Sequence, residues 1–154
     1  MIINYSAFNI LIKSLKYCQE HKNMKLHGYV IMPNHFHLII SSNVASKIPQ
    51  IMRDFKRHTS QELSKYYKTS IYASKLFWIK KFYGNKVNYL WQEGYHPKAI
   101  TNLKMFNQKL SYIHLNPVRK GYVAKPEDWL HSSARNYILN DHSVIKVDFL
   151  GEAT

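Results

Sequence analysis

Cysteine is almost missing from this chain. A lone Cys18 excludes an intramolecular disulfide framework and any zinc centre built on thiolates. Long apolar runs are missing too: none approaches the roughly 18–20 residues that span a bilayer, so no integral membrane segment is expected. The start, Met1-Ile2-Ile3-Asn4-Tyr5, has no basic stretch leading into a long apolar one, so no signal peptide is read. Glycine is scarce, at 5 residues, and no Gly-rich phosphate loop occurs. HExxH, a serine nucleophile elbow and a paired-carboxylate signature are also absent. Together these absences fit a cytoplasmic protein that uses no small-molecule cofactor. Acid is the scarcest charge, with 9 Asp+Glu against 22 Lys+Arg and a net +13. That excess calls for a polyanionic partner, and nucleic acid is the first candidate. An anionic membrane surface is the competitor, but no basic amphipathic segment stands apart from the folded pattern.

What is present suffices for one domain over residues 1–154, since 45% of the chain is apolar. Phe8, Leu11, Ile12 and Leu15 recur at helical spacing and predict a helix over 4–20. Residues 26–32 and 35–41 are short apolar runs parted by Pro33-Asn34, which reads as a β-hairpin. A second amphipathic helix is expected over 47–67, with Ile48, Ile51, Met52, Phe55, Leu63 and Tyr66 as its stripe. Pro49 is tolerable there only in the first turn. Strands are expected near 76–81 and 88–95. A third helix is expected over 101–116, capped by Thr101 and stopped ahead of Pro117. A short helix around 126–137 and a strand at 144–149 complete the reading. The order α, ββ, α, β, α predicts an α+β fold, an antiparallel sheet with helices on one face.

Three groupings carry chemistry. In His35-Phe36-His37 the two imidazoles share one face of a strand, since side chains alternate, and neighbouring imidazoles can hold one divalent ion. Two half-exposed histidines on a polar face is the plainer reading. Tyr112 and Asn116, four apart, sit beside one another and off the apolar stripe of Leu103, Phe106, Leu110 and Ile113. Tyr112 is thus presented on a rigid helix, as a nucleophile must be, or is simply an exposed or dimer-facing tyrosine among the 12 in the chain. The third grouping is basic surface threaded with aromatics. Arg53, Lys56 and Arg57 lie off the second helix's core stripe. Residues 63–92 hold six lysines, Lys80 and Lys81 among them, and no acid, interleaved with Tyr66, Tyr67, Tyr72, Phe77, Trp78, Phe82, Tyr83, Tyr89 and Trp91. Lysines neutralise phosphates and rings stack on unpaired bases, although many of these rings must also serve the core.

The ordered set of motifs resembles the IS200/IS605-type tyrosine transposases, and most closely their REP-associated branch. It runs from Gly28-Tyr29-Val30-Ile31-Met32-Pro33-Asn34-His35-Phe36-His37 through Phe55-Lys56-Arg57-His58-Thr59 and Leu90-Trp91-Gln92. It continues in Tyr112-Ile113-His114-Leu115-Asn116-Pro117-Val118-Arg119 and closes on Ser132-Ser133-Ala134-Arg135-Asn136-Tyr137. The resemblance implies an HUH endonuclease fold, a ferredoxin-like antiparallel sheet with both histidines on a central strand. It implies that His35, His37 and Asn116 bind Mg²⁺ or Mn²⁺. It makes Tyr112 the nucleophile that cleaves and rejoins single-stranded hairpin DNA through a 5′-phosphotyrosine, in a homodimer. Arg119 joins Arg53, Lys56, Arg57, Lys80 and Lys81 as expected DNA contacts. Members usually open on a strand, whereas here only Met1-Ile2-Ile3 precede the first helix, so the sheet is expected to lack its first strand or to replace it with another segment. A truncated or domesticated hairpin binder without catalysis is the alternative expectation. A plain metal-dependent hydrolase would leave Tyr112, Asn116 and the charge without a role.

Overall fold

The first helix packs as its periodicity predicts. In the computed structural model, which describes residues 5–69, 91 and 97–151, α1 runs Tyr5–His21. It buries Ala7, Phe8, Leu11, Ile12, Leu15 and Cys18 along one stripe. Burial pushes the Cys18 thiol pKa up, as suits a packing residue. The chain then forms an antiparallel hairpin of β1 (Met24–Ile31) and β2 (Phe36–Ser42), with Tyr29 opposite Leu38, Val30 opposite His37 and Ile31 opposite Phe36. A bulge between Leu26 and Gly28 sets His27 out of register.

A 3₁₀ turn, Ala45–Lys47, leads into α2 (Ile48–Thr69), whose first turn holds Pro49. Ile51, Met52, Phe55, Leu63 and Tyr67 form its buried stripe, so Tyr67 takes the fully buried place expected of Tyr66. The strands expected over 76–81 and 88–95 lie outside the described residues, apart from Trp91. The third long helix, α3, runs Leu103–Arg119. The short α4 spans Ala134–Leu139, after a 3₁₀ turn at Pro126–Asp128. The helix expected around 126–137 is therefore two shorter pieces.

The α+β class holds, but the helices divide between the faces of the hairpin rather than sharing one. Leu26, Tyr29 and Ile31 belong to a core cluster with α1 and α2. Val30, Met32 and Ile39 belong to a second cluster, with Phe106 and Ile113 of α3. Both strands carry apolar residues on both faces, and each face needs its own cover. Gly28 lets α3 come close: a Cβ there would meet Leu110 Cδ1 at 2.7 Å and Ile113 Cδ1 at 3.1 Å.

Two expected boundaries of α3 shift. Asn102, not Thr101, is the cap, and its Oδ1 accepts the Met105 N–H at 2.8 Å. The helix also does not stop at Asn116 but passes through Pro117 to Arg119. Pro117 sits in the last turn, where Lys120 N–H still donates to Asn116 O at 3.1 Å. Gly121, at φ 72°, then closes the end: its N–H donates to Val118 O at 2.9 Å and that of Tyr122 to Pro117 O at 3.0 Å.

The free edge of β1 is occupied by chain from much later in the sequence. Ile31 N–H donates to His131 O at 2.9 Å, and Ser133 N–H donates to Tyr29 O at 2.9 Å. Further along, Asp148 N–H donates to Leu26 O at 2.8 Å, and Leu26 N–H donates to the Asp148 carboxylate at 2.8 Å. Residues 144–149 are not the strand that was expected. The two bonds between Leu26 and Asp148 and the contact of Asp148 O with His27 Nδ1 at 2.6 Å replace a ladder, while Ile145 and Val147 are buried in the first cluster. Another segment thus covers the edge that an additional strand would cover.

Candidate active site

The turn between the strands is closed by Met32 N–H donating to His35 O at 2.8 Å. It delivers His35 just ahead of β2, and the pleat puts His37 on the same side. Phe36 points the other way, 5.7 Å from the Phe55 ring and 4.9 Å from the Trp91 ring between centroids. These contacts anchor the strand from behind and leave the histidine face to α3. The His35 and His37 rings lie 5.2 Å apart, centroid to centroid.

From the facing helix, Tyr112 stands 5.7 Å from the His37 ring, edge to face, while 48% of the residue remains accessible. Arg119, two turns on, sets its guanidinium carbon 5.3 Å from the Tyr112 ring centroid. One turn below Tyr112, Asn116 is buried at 6% exposure, and its Oδ1 lacks a well-formed hydrogen bond. The Asn116 side chain nevertheless lies close enough to favour the charged form of His35. That influence is outweighed: burial lowers the His35 pKa, and Lys120 lowers it further. Burial also lowers the His37 pKa, helped by its neighbour His35. Both imidazoles are therefore held neutral, with a nitrogen lone pair free for a cation.

The residues present suit a divalent ion. They offer two neutral imidazoles on one face and a buried carbonyl oxygen in want of a partner. Among the described residues no group of three or more His, Cys, Asp and Glu could hold a metal; the polar side chain beside the two histidines is the Asn116 amide. His35 Nδ1 lies 2.6 Å from Asn34 Oδ1, a contact that orients the ring and leaves Nε2 without that partner.

The structure thus brings together His35, His37, Tyr112, Asn116 and Arg119. It does not bring Arg53, Lys56 and Arg57 to them, because α2 lies across the hairpin from α3; Arg57 Nη2 instead donates to Asp54 Oδ1 at 3.1 Å. Lys80 and Lys81 lie outside the described residues. Beyond Tyr112, a groove of about 830 Å³ follows the outer side of α3, lined by Leu103, Lys104, Asn107, Gln108, Ser111, Tyr112 and Arg119. His114, given no role in the sequence analysis, is buried on α3 and bound to Ser133 Oγ at 2.7 Å. Its spacing of four from Leu110 and eight from Phe106 was the available signal that it faces inward.

Comparison with known proteins agrees with this geometry. The family model described as "Transposase IS200 like" matches residues 2–116. A Haemophilus influenzae protein assigned by name to the REP-associated tyrosine transposases is 27% identical over 123 residues, covering 74% of this chain and 61% of its own length. The REP-associated tyrosine transposase of Escherichia coli K12 is 21% identical over 151 residues, 97% of this chain and 76% of that protein. A solved structure of a REP-associated tyrosine transposase bound to a REP hairpin shares the fold, at a TM-score of 0.61 and 20% identity. It covers 97% of this chain and 77% of that one.

Proposed function

The chain belongs to the IS200-like transposase family, and we propose that it binds single-stranded hairpin DNA, cuts it and rejoins it through a covalent bond to Tyr112. The observation that carries this reading is the Tyr112 ring at 5.7 Å from His37, on a helix that also supplies Asn116. In the proposed step the Tyr112 hydroxyl oxygen attacks the scissile phosphorus. The P–O3′ bond breaks, the phenolic proton is lost, and a 5′-phosphotyrosine and a free 3′-OH result. A later attack by a 3′-OH on that phosphotyrosine restores the phenol and seals the strand. The bond energy is kept, so no nucleotide cofactor is needed.

His35, His37 and Asn116 would hold Mg²⁺ or Mn²⁺. Bound there, the ion would neutralise and orient the phosphate and favour the phenolate of Tyr112. Arg119, over the Tyr112 ring, would contribute positive charge to the same phosphate. The net charge of +13 suits a polyanion, and the E. coli and H. influenzae relatives suggest REP-like hairpins as the DNA. The chemistry belongs to the cytoplasm, where such DNA is found, and no described helix is long and apolar enough to cross a membrane. A homodimer remains part of the proposal as an assembly on DNA, although Tyr112 already faces a histidine of its own chain. The binding-only alternative was motivated by the missing first strand; that residues 131–133 and 148 lie along the edge of β1 supports the cutting reading instead.

The test is incubation with 3′-labelled single-stranded hairpin DNA and Mn²⁺, followed by denaturation. A labelled covalent adduct that disappears in Tyr112→Phe is the expected result. No adduct with the parent protein would leave hairpin binding as the function, and an adduct that survives the substitution would place the nucleophile elsewhere.

A further inference from the structure

The contact between α3 and the hairpin is mostly apolar. Apolar packing is nondirectional, so it sets the distance between helix and sheet better than the helix's position along its own axis. Among the described residues, one chain of hydrogen bonds links α3 to the edge of β1. Ser133 is fully buried; its Oγ accepts the Tyr29 N–H at 2.9 Å and can donate to Tyr29 O at 3.1 Å. A hydroxyl has one proton and two lone pairs. With one lone pair taken by Tyr29 N–H, the proton and the other lone pair are left for Tyr29 O and for His114 Nε2, which lies at 2.7 Å. Tyr29 O also accepts the Ser133 N–H, so the bond between Ser133 Oγ and His114 Nε2 forms with either tautomer of His114.

The link is placed where it matters for the site. His114 lies two residues from Tyr112 and two from Asn116. Tyr29 pairs with Leu38, the neighbour of His37. The path from nucleophile helix to histidine strand therefore runs His114, Ser133, Tyr29, β2. An apolar side chain could fill the His114 position with less desolvation, but it would supply no directed bond. We propose that His114, through Ser133, is a positioning residue that fixes the axial register of α3 and so sets Tyr112 and Asn116 against His35 and His37. This inference rests on the transposase reading for its consequence in rate, but not for its geometry.

Two measurements test it. The first needs no metal and no DNA. In the NMR spectrum, the His37 ring protons should carry a ring-current shift from Tyr112, identified by comparison with Tyr112→Leu. His114→Phe should move those resonances toward the Tyr112→Leu positions, and His114→Gln, whose side-chain amide carries both a donor and an acceptor for Ser133, should return them. The second is the single-turnover rate of adduct formation on hairpin DNA with Mn²⁺. His114→Phe should slow it about 100-fold, as expected for a misplacement near 1 Å. Hairpin Kd should stay within about twofold, and His114→Gln should recover the rate to within about tenfold. If His114→Phe does not fold, Ser133→Ala takes its place with the same expectations.

A folded His114→Phe with a lower Tm but parental His37 resonances and parental adduct rate would overturn the proposal and leave His114 a merely stabilising residue. If the parent makes no adduct, the transposase reading fails instead, and the resonances alone decide the register: unmoved in His114→Phe, they overturn it.

Discussion

Mild acid should loosen this protein through two buried histidines. His114 and His131 are 8% and 5% exposed, and burial pushes the pKa of each down to about 4, from 6.5. The sign follows from which state takes up protons. Below pH 6.5 the unfolded chain protonates both rings, whereas the folded chain resists until about pH 4. Stability is therefore intact above pH 6.5 and falls as pH drops toward 4. Each ring contributes about 1.4 kcal/mol per pH unit across that window, so at pH 5.5 the pair removes about 3 kcal/mol relative to pH 7.5. A domain of this size has about 10 kcal/mol in hand, so the loss should be easy to see. Urea unfolding at the two pH values measures it. His114→Gln, which keeps a hydrogen-bonding group for Ser133 but cannot titrate, should shrink the pH-dependent difference by about 1.4 kcal/mol. General repulsion in a chain of +13 would destabilise both proteins equally on acidification. An unchanged difference in His114→Gln would refute the assignment of acid sensitivity to that ring.

Further expectations concern the site and its surroundings. His35→Ala should abolish Mn²⁺-dependent cleavage while hairpin affinity, by fluorescence anisotropy, stays within a few-fold; equal cleavage by variant and parent would defeat the metal assignment. Hairpin affinity should fall steeply with salt, and exceed that for a blunt duplex of equal length, in an anisotropy titration from 50 to about 200 mM salt; equal affinities would count against an unpaired-strand substrate. Gly121→Ala should cost about 1 kcal/mol in urea unfolding, because Gly121 is at φ 72°, and should leave hairpin binding unaltered, since nothing lies within 4 Å of the added methyl. Light scattering with and without hairpin DNA should report the dimer on DNA if it forms, and a monomer in both would restrict the work to one chain.

The elements with strong periodicity were legible in the sequence. The spacing of Phe8, Leu11, Ile12 and Leu15 gives α1, and Pro33-Asn34 between apolar runs gives the hairpin. Same-face projection of His35 and His37 follows from strand alternation alone, and the proximity of Tyr112 and Asn116 from helical spacing. What was not legible depends on distant partners. The rule that proline ends a helix fails at Pro117, because a Schellman closure at Gly121 compensates within the same turn. The division of helices between two faces needed the cluster membership of Val30 and Ile39. The role of His114 depends on a partner, Ser133, that lies 19 residues later. Asp148 stitches β1 from a segment whose own pattern reads as a strand and is none.

That stitching bears on the order in which the molecule can be made. Leu26 waits for Asp148, 122 residues downstream, and Tyr29 waits for Ser133, 104 residues downstream. A nascent chain that has emerged only as far as α3 holds both histidines and the tyrosine, yet the outer backbone of β1 is still bare. Contacts of such long sequence separation form late, after the local helices and the hairpin turn. During that interval the hairpin offers a strand edge to any neighbouring chain, which makes crowded synthesis the hazardous stage for this protein. Residues 131–133 and 148 are then the ones that close the edge of β1, the strand paired with the one that carries His37.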